Sequence, residues 1–392
     1  MYIARAPLLT LLCFLVLSWT SRADDVAVET IRFASYNIAM GFAEQGELTS
    51  RLQSGNDEGL RKVAAIIQEI RPDVLLLNEF DTETEVSQGA LFHDNYLRFS
   101  QFGQQAISYE KFISEHVNTG VDSGLDLNNN GVLHEPQDAW GFGRFPGQYG
   151  MLVLTNLQVI STRTFRNFRW VDMPDHLQPM NPDGTPFYPA EVFKQLRLSS
   201  KSHWDIEFKT KGKPIHFLVS HPTPPVFDGP EDRNGTRNHD EIRFWVDYIE
   251  PQRAGYIYSD DHVKGGLTDD AHFVIAGDLN ADPVDGDSHI NAIGQLLSHP
   301  RVNVSCVPVS DGAKEARALQ GGKNLEQQGN PGSDTGDFND KYVGNMRVDY
   351  VLPSTGLRIV DCGVFWPASR QTGHQWIDVS DHRLVWVDII AH

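Results

Sequence analysis

The sequence predicts an α+β fold in which two β-sheets pack together and helices cover them. Short apolar runs typical of buried strands recur along the chain, and most are followed within one or two residues by polar side chains. Amphipathic stretches at residues 60–70 and 240–249 predict helices between these strands. The motifs below run from residue 31 to residue 387, which favours one large domain over two smaller ones.

Seven apolar runs carry the strand pattern, and polar residues stand in or just after several of them. Asn37, Asn78, Glu79, His221 and Asp278 all occupy such positions. The repetition predicts that the strand ends meet at one edge of a sheet sandwich. The runs are residues 31–38, 74–77, 151–154, 215–219, 273–276, 348–352 and 384–390.

Three stretches interrupt this pattern. Residues 97–148 and 172–190 have the character of insertions, and residues 311–341 are rich in Gly, Asn and Asp, which predicts loops. Long loops of this kind often form lids or the rims of binding sites.

The first 23 residues have the pattern of a signal peptide. Arg5 supplies the positive start, residues 8–17 are apolar, and residues 21–23 fit a cleavage site. The apolar run is short for a bilayer span, so a retained anchor is the weaker alternative. No later run is long enough to cross a membrane. We therefore expect a secreted protein, extracellular or periplasmic, with residues 24–392 as a single domain.

Two cysteines, Cys306 and Cys362, lie outside the signal sequence. Export would permit a disulfide between them, but the sequence does not establish that they are close in space. Their pairing stays open at this stage.

Composition and charge limit the function classes. The chain of 392 residues is 40% hydrophobic and 22% charged, so it can bury a sizeable core. Its formal net charge of −19 repels polyphosphates unless bound cations or a local basic patch offset it. Tight nucleic-acid binding is therefore not favoured, although a nuclease that relies on metal ions remains compatible with this charge.

The first candidate site follows the apolar run that ends near residue 276. Asp278 and Asn280 are two residues apart, so both side chains point the same way if the backbone stays extended. The pair would offer one carboxylate to activate water and one neutral amide to hold a phosphate. Taken alone, such a motif is often only a turn.

Two further motifs add carboxylates and a histidine. Glu79 follows an apolar strand, where a carboxylate is either exposed or committed to a cation, because unpaired burial is costly. Asp381 and His382 precede the last apolar run. They could serve as a metal ligand and an acid/base or oxyanion-stabilising group, or they could form only an exposed capping turn. Mg²⁺ typically takes one or two protein carboxylates and leaves positions for water and phosphate.

In their order and spacing, these motifs resemble the endonuclease/exonuclease/phosphatase superfamily, which includes pancreatic-type deoxyribonuclease, abasic-site endonucleases, sphingomyelinases and inositol-polyphosphate phosphatases. The resemblance implies a four-layer α/β/β/α sandwich, with two mostly antiparallel sheets flanked by helices, as in deoxyribonuclease I. It also implies a metal-dependent hydrolase of phosphoric esters. The segments that carry it are residues 35–37, 78–79, 150–155, 220–221, 277–280, 347–350 and 380–382.

The resemblance implies how the metal and the water are held. Glu79 would bind the catalytic Mg²⁺ or Mn²⁺, assisted by Asn37 and Asp381. Asp278 would orient or deprotonate the attacking water. Asn280 would hydrogen-bond a phosphate oxygen.

The resemblance also implies how charge and substrate are handled. His382, positioned by Asp349, would stabilise the charged transition state. His221 is similar to a second active-site histidine of the deoxyribonuclease and sphingomyelinase branches, although residues 148–149 stand where some relatives carry its acidic partner. Apart from the resemblance, Tyr149 and Arg197 are candidate substrate contacts, with a surface ion pair as the alternative for the arginine.

A separate motif resembles a calcium-binding loop. Asp126, Asn128 and Asn130 occupy the first three ligand positions, and Gly131 follows where such loops turn sharply. The twelfth position holds Gln instead of the usual Glu. We expect structural Ca²⁺ in an inserted loop around residues 120–138, with an Asn-rich turn as the alternative.

Two classes of function follow. The first is a secreted phosphoesterase acting on phosphate mono- or diesters; small organic phosphates are favoured, because a nuclease benefits from a basic groove. A sphingomyelinase-like activity would need an exposed apolar hairpin, for which residues 165–170 are the nearest candidate. The second class is a non-catalytic, calcium-dependent binding protein, against which the full set of catalytic residues speaks. Substrate, preferred metal and oligomeric state stay open.

Overall fold

The structure, a computed structural model, describes residues 1–2, 30–83, 86–289 and 291–390. Nearly all of the signal peptide predicted for residues 1–23 lies outside the described residues. Within the described ranges, no helix combines the length and the apolar character needed to cross a bilayer.

Six strands form the first sheet. They are β1 (Thr30–Met40), β2 (Val74–Phe80), β3 (Lys111–Ile113), β4 (Met151–Thr155), β12 (Arg358–Val364) and β13 (Val385–Ile390). Their order across the sheet is β12-β13-β1-β2-β4-β3, so the first and last long strands are neighbours. The central pair, β1 and β2, is parallel and the other pairs are antiparallel.

Five strands form the second sheet. They are β5 (Gln158–Thr164), β6 (His203–Lys209), β7 (Ile215–Ser220), β8 (His272–Asp278) and β11 (Asp349–Pro353). Their order is β11-β8-β7-β6-β5, with β7 and β8 parallel and the rest antiparallel. A short separate hairpin joins β9 (Gly336–Asp337) and β10 (Asn345–Met346).

Helices cover the outer faces of both sheets. On the first sheet, α1 (Glu47–Ser54), α2 (Glu58–Ile70) and α3 (Gln88–Phe92) pack against one apolar cluster. On the second sheet, α5 (Arg233–Tyr248) and α6 (Gly294–Leu297) pack against another. Two further helices are α4 (Ala190–Phe193) and α7 (Asp311–Gln320).

Strand alternation explains why the two sheets stack. In β2, Val74 and Leu76 face the second sheet, whereas Leu75 and Leu77 face the helices. In β8, Val274 and Ala276 lie in the same inter-sheet core, while alternate residues point to α5. Both faces of each central strand are buried, which accounts for the continuous apolar runs. The predicted four-layer α/β/β/α sandwich is confirmed.

Several local expectations need correction. The region 311–341, predicted to consist of loops, begins with helix α7, which Ser310 caps by accepting a hydrogen bond from the Ala313 backbone N–H at 3.2 Å. The aromatic residues of segment 165–170 are buried, so this segment is not an exposed membrane hairpin. Cys306 and Cys362, left open by the sequence, form a disulfide.

Candidate functional site

The polar ends of the central strands meet around the carboxylate of Asp278, at the end of β8. Its Oδ2 accepts a hydrogen bond from Asn37 Nδ2 at 3.0 Å, which joins the two sheets. The same oxygen lies 3.3 Å from His221 Nε2 and 3.6 Å from His382 Nε2. The backbone N–H of Asp278 donates to Asn78 Oδ1 at 3.2 Å. Residues separated by up to several hundred positions thus share one buried carboxylate.

Sheet register explains this convergence. Asp278 is paired with Asp349 across β8 and β11, while β7 runs parallel to β8 on its other side. Gly277 allows the close approach: a Cβ at this position would lie 2.0 Å from the carbonyl oxygen of Ser220. Asp278 is therefore fixed at the point where both neighbouring strands also deliver polar residues.

His382 is held as a hydrogen-bond donor. Its Nδ1 lies 2.9 Å from Asp349 Oδ2, and its backbone N–H donates to Ser380 Oγ at 3.0 Å. Burial alone would lower the pKa of His382, but the charges of Asp349 and Asp278 outweigh burial and raise the pKa well above its usual range. The imidazole is therefore cationic at neutral pH. Ser380 Oγ also donates to the backbone oxygen of Asn37 at 2.8 Å, which ties this segment to β1.

The pKa values of Asp278 and of its second histidine neighbour, His221, are also shifted. Burial alone would raise the pKa of Asp278, but the charge of His382 and the hydrogen bonds from His221 and Asn37 lower it below its usual range. Burial and the nearby Lys201 lower the pKa of His221. A neutral His221 donates from Nε2 to Asp278, and its buried Nδ1 has no protein partner within the described chain.

Glu79 stands in a local irregularity of the first sheet. Between the strand pairs Asn37–Asn78 and Met40–Phe80, β1 carries two residues and β2 only Glu79. The φ angle of Glu79 is 54°, a left-handed conformation that a non-glycine residue rarely adopts. Bulges and strained residues of this kind re-aim side chains at functional sites. The Glu79 side chain is partly exposed at the edge where the other strands end.

Lys201 belongs to this group, although no sequence motif indicated it. The residue is 93% buried, because its exposed fraction is 7%. Burial has the largest effect on the pKa of Lys201 and lowers it, while the charges of Glu241, Glu79 and Asp278 act in the opposite direction. Within the described ranges, Lys201 forms no side-chain hydrogen bond or ion pair. A buried lysine within a Ser-rich run offers no spacing signal from which its role could be predicted.

Asn280 follows Asp278 in a left-handed turn with a φ angle of 51°. Its backbone N–H donates to Asp278 Oδ1 at 3.0 Å, and its side-chain Nδ2 donates to the backbone oxygen of Pro222 at 3.1 Å. These two bonds hold the Asn280 amide beside the Asp278 carboxylate. The extended backbone expected from the sequence is absent here, because Asn280 adopts a left-handed conformation.

The structure gives other predicted residues different surroundings. Arg197 Nη1 donates to Asn118 Oδ1 at 2.6 Å, and its guanidinium stacks 4.9 Å from the Trp140 ring centre. Asp381 is exposed, immediately before His382. Tyr149 is half-buried, and burial and the charge of Glu79 raise its pKa. Substrate or metal contacts of these three residues stay predictions.

The predicted calcium loop folds back on its own side chains. Asp126 Oδ1 and Oδ2 accept from the backbone N–H groups of Asn130 and Gly131, at 3.2 and 2.8 Å. Asn128 Oδ1 also accepts from the Asn130 N–H, at 3.1 Å. These contacts are those of an Asn-rich turn, and calcium binding here stays a prediction.

The donor set at the strand ends fits a hard divalent cation. Asp278, Asp349 and His382 offer one ligand atom each within 4.8 Å of one another. His382 is an unsuitable ligand, however, because its Nδ1 is engaged by Asp349 and its raised pKa keeps it protonated. Carboxylate and amide oxygens are the donors that Mg²⁺ takes, and metal binding by Glu79, Asn37 and Asp381 stays a prediction.

A match to a family model shows to which protein family this chain belongs. The Endonuclease/Exonuclease/phosphatase family matches residues 34–382, which is most of the sequence. The chain belongs to this family. Members of the endonuclease/exonuclease/phosphatase family are generally hydrolases of phosphate esters and typically depend on divalent metals. No curated protein matches the sequence.

Solved structures share the architecture at low sequence identity. An endonuclease/exonuclease/phosphatase from Beutenbergia cavernae is 16% identical, with 92% of this chain and 72% of that chain covered and a TM-score of 0.50. A family protein from Leptotrichia buccalis is 15% identical, covering 92% and 99%, with a TM-score of 0.48. The human Nocturnin catalytic domain with bound sulfate anion is 14% identical, covering 92% and 94%, with a TM-score of 0.45. The likeness to the Beutenbergia cavernae structure, at 16% identity, shows the fold alone.

Proposed function

We propose that this protein is a secreted, divalent-metal-dependent hydrolase of phosphate mono- or diesters. The observation that carries the proposal is the buried cluster in which Asp278 contacts Asn37, His221 and His382 together. Ester hydrolysis needs an oriented water, charge stabilisation on the phosphate oxygens and help for the leaving oxygen. Each need has a residue in or beside this cluster.

Asp278 is the water-orienting group. Its lowered pKa keeps the carboxylate anionic, so it accepts a hydrogen bond from water and directs the water oxygen at phosphorus. The new P–O bond forms as the ester P–O bond breaks. One water proton ends on the leaving oxygen and the other is released to solvent or to the phosphate product.

His382 is the charge-stabilising donor. Asp349 fixes the ring through Nδ1, so Nε2 points toward Asp278 and toward the space where the phosphate would lie. A cationic imidazole in a buried site stabilises developing negative charge more strongly than it would in water. Lys201 adds a second buried cation without a carboxylate in ion-pair contact, which suits a phosphate oxygen.

Mg²⁺ or Mn²⁺ is the proposed cofactor. Glu79 would hold it, with Asn37 and Asp381 as further candidates, and the bound ion would neutralise charge on the phosphate oxygens. The amide of Asn37 is already engaged, because Nδ2 donates to Asp278 and Oδ1 accepts from the Ala39 N–H at 3.1 Å. This leaves one lone pair on Oδ1 for a cation.

Secretion is supported by two features. Residues 1–23 have a signal-peptide pattern, and Cys306 pairs with Cys362, which is typical of proteins that fold in oxidising compartments. Expression of the full chain with N-terminal sequencing of the protein recovered outside the cytoplasm tests this part. An intact Met1 on a cytoplasmic product would contradict it.

One experiment tests the activity. The mature protein is assayed with a phosphomonoester, a phosphodiester and plasmid DNA, each with Mg²⁺, Mn²⁺, Ca²⁺ or EDTA. We expect turnover of a small phosphate ester that EDTA abolishes and Mg²⁺ or Mn²⁺ restores. Absence of metal-stimulated turnover on every substrate would favour the non-catalytic binding protein. Faster cleavage of DNA than of small esters would favour the nuclease.

A further inference from the structure

A cavity of about 660 Å³ opens beside the candidate site. Asn280 lines it, as does Val348, the neighbour of Asp349 in sequence. Phe338 also lines the cavity, and its ring packs edge-on against the His382 ring with centres 5.2 Å apart. A phosphate held among these residues would therefore direct one of its ester substituents into the cavity.

The walls of this cavity offer flat apolar faces. Phe227 is 87% exposed and Tyr342 is 65% exposed, and both line the cavity together with Phe338. Pro224 and Met346 contribute further apolar surface. Large aromatic side chains exposed at a concave site are costly to leave in water and bind planar rings by stacking or edge-to-face contact.

The rim of the cavity is acidic. Asp285, Asp287 and Glu326 line it, with Lys323 as the one basic residue among the lining residues. The Lys323 ammonium is paired with Glu326 at 2.7 Å, and the Lys341 ammonium lies 2.7 Å from the hydroxyl of the lining residue Tyr342. Asp285 and Asp287 form no ion pair with a basic residue among the described lining residues, so they repel a further phosphate group that follows the first. This part of the lining disfavours a polynucleotide strand or a polyphosphate.

The cavity is also built into ordered structure. Gln327 Nε2 donates to the backbone oxygen of Val343 at 3.2 Å, and both Asp285 oxygens accept backbone N–H groups, from Gln328 and Gly329, at 2.9 and 2.8 Å. These bonds connect the segments that form its walls. A volume of this size lies within the range of sites for small organic ligands.

We propose that this cavity binds an uncharged planar ring on the ester substituent, so that the protein prefers phosphate esters of ring-bearing alcohols. The inference rests on the proposed phosphoesterase function and names its substrate class. Phe227, Phe338 and Tyr342 supply the ring contacts, and the acidic rim excludes substituents that carry more phosphate.

The test compares esters of equal intrinsic reactivity. The substrates are 2-phenylethyl phosphate, hexyl phosphate and propyl phosphate, whose primary alcohol leaving groups are alike, and a single-stranded oligodeoxynucleotide. We expect kcat/KM for the phenylethyl ester to exceed that for the propyl ester by about tenfold or more, and to exceed that for the hexyl ester. Phe227→Ala and Tyr342→Ala should each reduce the phenylethyl-to-propyl ratio severalfold. Phe99→Ala, at a 60% exposed phenylalanine on the helical layer of the first sheet, is the matched control and should keep the ratio.

The outcomes separate the two proposals. Equal kcat/KM for the phenylethyl and propyl esters, or a ratio insensitive to both pocket substitutions, overturns the ring pocket while leaving the phosphoesterase intact. A hexyl ester as good as the phenylethyl ester shows a general apolar pocket and overturns the ring assignment. An oligonucleotide with the highest kcat/KM overturns the charge argument. Turnover of no ester at all rejects the proposed function itself, and binding of 2-phenylethylphosphonate by calorimetry then decides whether the cavity takes a ring.

Discussion

Each sheet contains one unit of two parallel strands joined through helices, but the polar residues at the strand ends differ between the two units. In the first, β1 and β2 are parallel neighbours connected through α1 and α2; in the second, β7 and β8 are parallel neighbours connected through α5. Antiparallel strands flank each pair. The first unit ends in Asn37 and Glu79, which offer oxygen donors to a cation. The second ends in His221 and Asp278, which can orient water.

The comparison shows that the strand topology determines where the polar residues at the strand ends meet. The identity of those residues determines which chemistry they can support. The carboxyl ends of parallel strands lie at the same edge of a sheet, so each parallel strand pair brings its terminal polar residues together. Two hydrogen bonds couple these strand pairs, from Asn37 Nδ2 to Asp278 Oδ2 and from the Asp278 backbone N–H to Asn78 Oδ1. Under the proposed function, the first strand pair would hold the cation and the second would orient the water.

Removing the acidic centre of the second unit should give the largest effect. Asp278→Asn keeps the shape but loses the anionic acceptor, so we expect kcat to fall by about 10³-fold or more. Asp270→Asn, at a surface carboxylate paired with Lys213 at 3.0 Å, should stay within about twofold of the parent. Steady-state assays at saturating Mg²⁺ measure both. A fall below tenfold in the Asp278 variant would show that the water is oriented elsewhere.

A buried histidine beneath the second unit gives a pH-dependent stability. Burial lowers the pKa of His203 to about 4, and its Nε2 donates to the backbone oxygen of Glu241 at 2.8 Å. The folded state therefore holds His203 neutral, so its contribution is complete above pH 6.5 and is lost as pH falls toward 4. In His203→Gln, the difference in unfolding free energy from the parent should shrink by roughly 3 kcal/mol between pH 7 and pH 4. Urea unfolding across this range measures it, and parallel pH curves would contradict the assignment.

Sequence patterns predicted the central strands and the acidic motifs well, because both faces of those strands are buried and their ends carry fixed chemistry. They missed the edge strands β3, β5 and β12, whose mostly exposed or half-buried residues lack a continuous apolar run. They also missed the interior strand β6 (His203–Lys209), in which charged residues interrupt the apolar ones. They also placed the start of α5 too late, at residue 240, because Thr236 and Asn238 are polar yet buried. Lys201 escaped prediction because its burial, with 7% of the residue exposed, results from tertiary packing and leaves no signal in the local sequence.

Lys201 tests the link between the two units, because its side chain interacts electrostatically with Glu79 of the first unit and Asp278 of the second. Lys201→Met should lower kcat/KM about tenfold and weaken inhibition by inorganic phosphate similarly, since one cation facing the phosphate is lost. The free energy of unfolding should not fall, because a buried cation without a partner is costly. Lys209→Met, at an exposed lysine, is the control. A stability loss with unchanged phosphate inhibition would assign Lys201 a structural role.

The smallest catalytic effect is expected at Arg197. Its guanidinium is bonded to Asn118 and stacked on Trp140, so Arg197→Met should change kcat/KM less than about threefold and lower the unfolding free energy by about 1–2 kcal/mol. Kinetics on a small phosphate ester and urea unfolding measure the two effects. A tenfold rise in KM with unchanged stability would instead support direct phosphate binding.

The pairing of the first long strand with the last has a consequence for biogenesis. Thr30 lies opposite Ile390, and Ser380 Oγ bonds to the backbone oxygen of Asn37 across 343 positions of the chain. Closing contacts between residues so far apart in the chain costs loop entropy and slows folding. The candidate site can assemble only after β13 has been synthesised and has paired with β1.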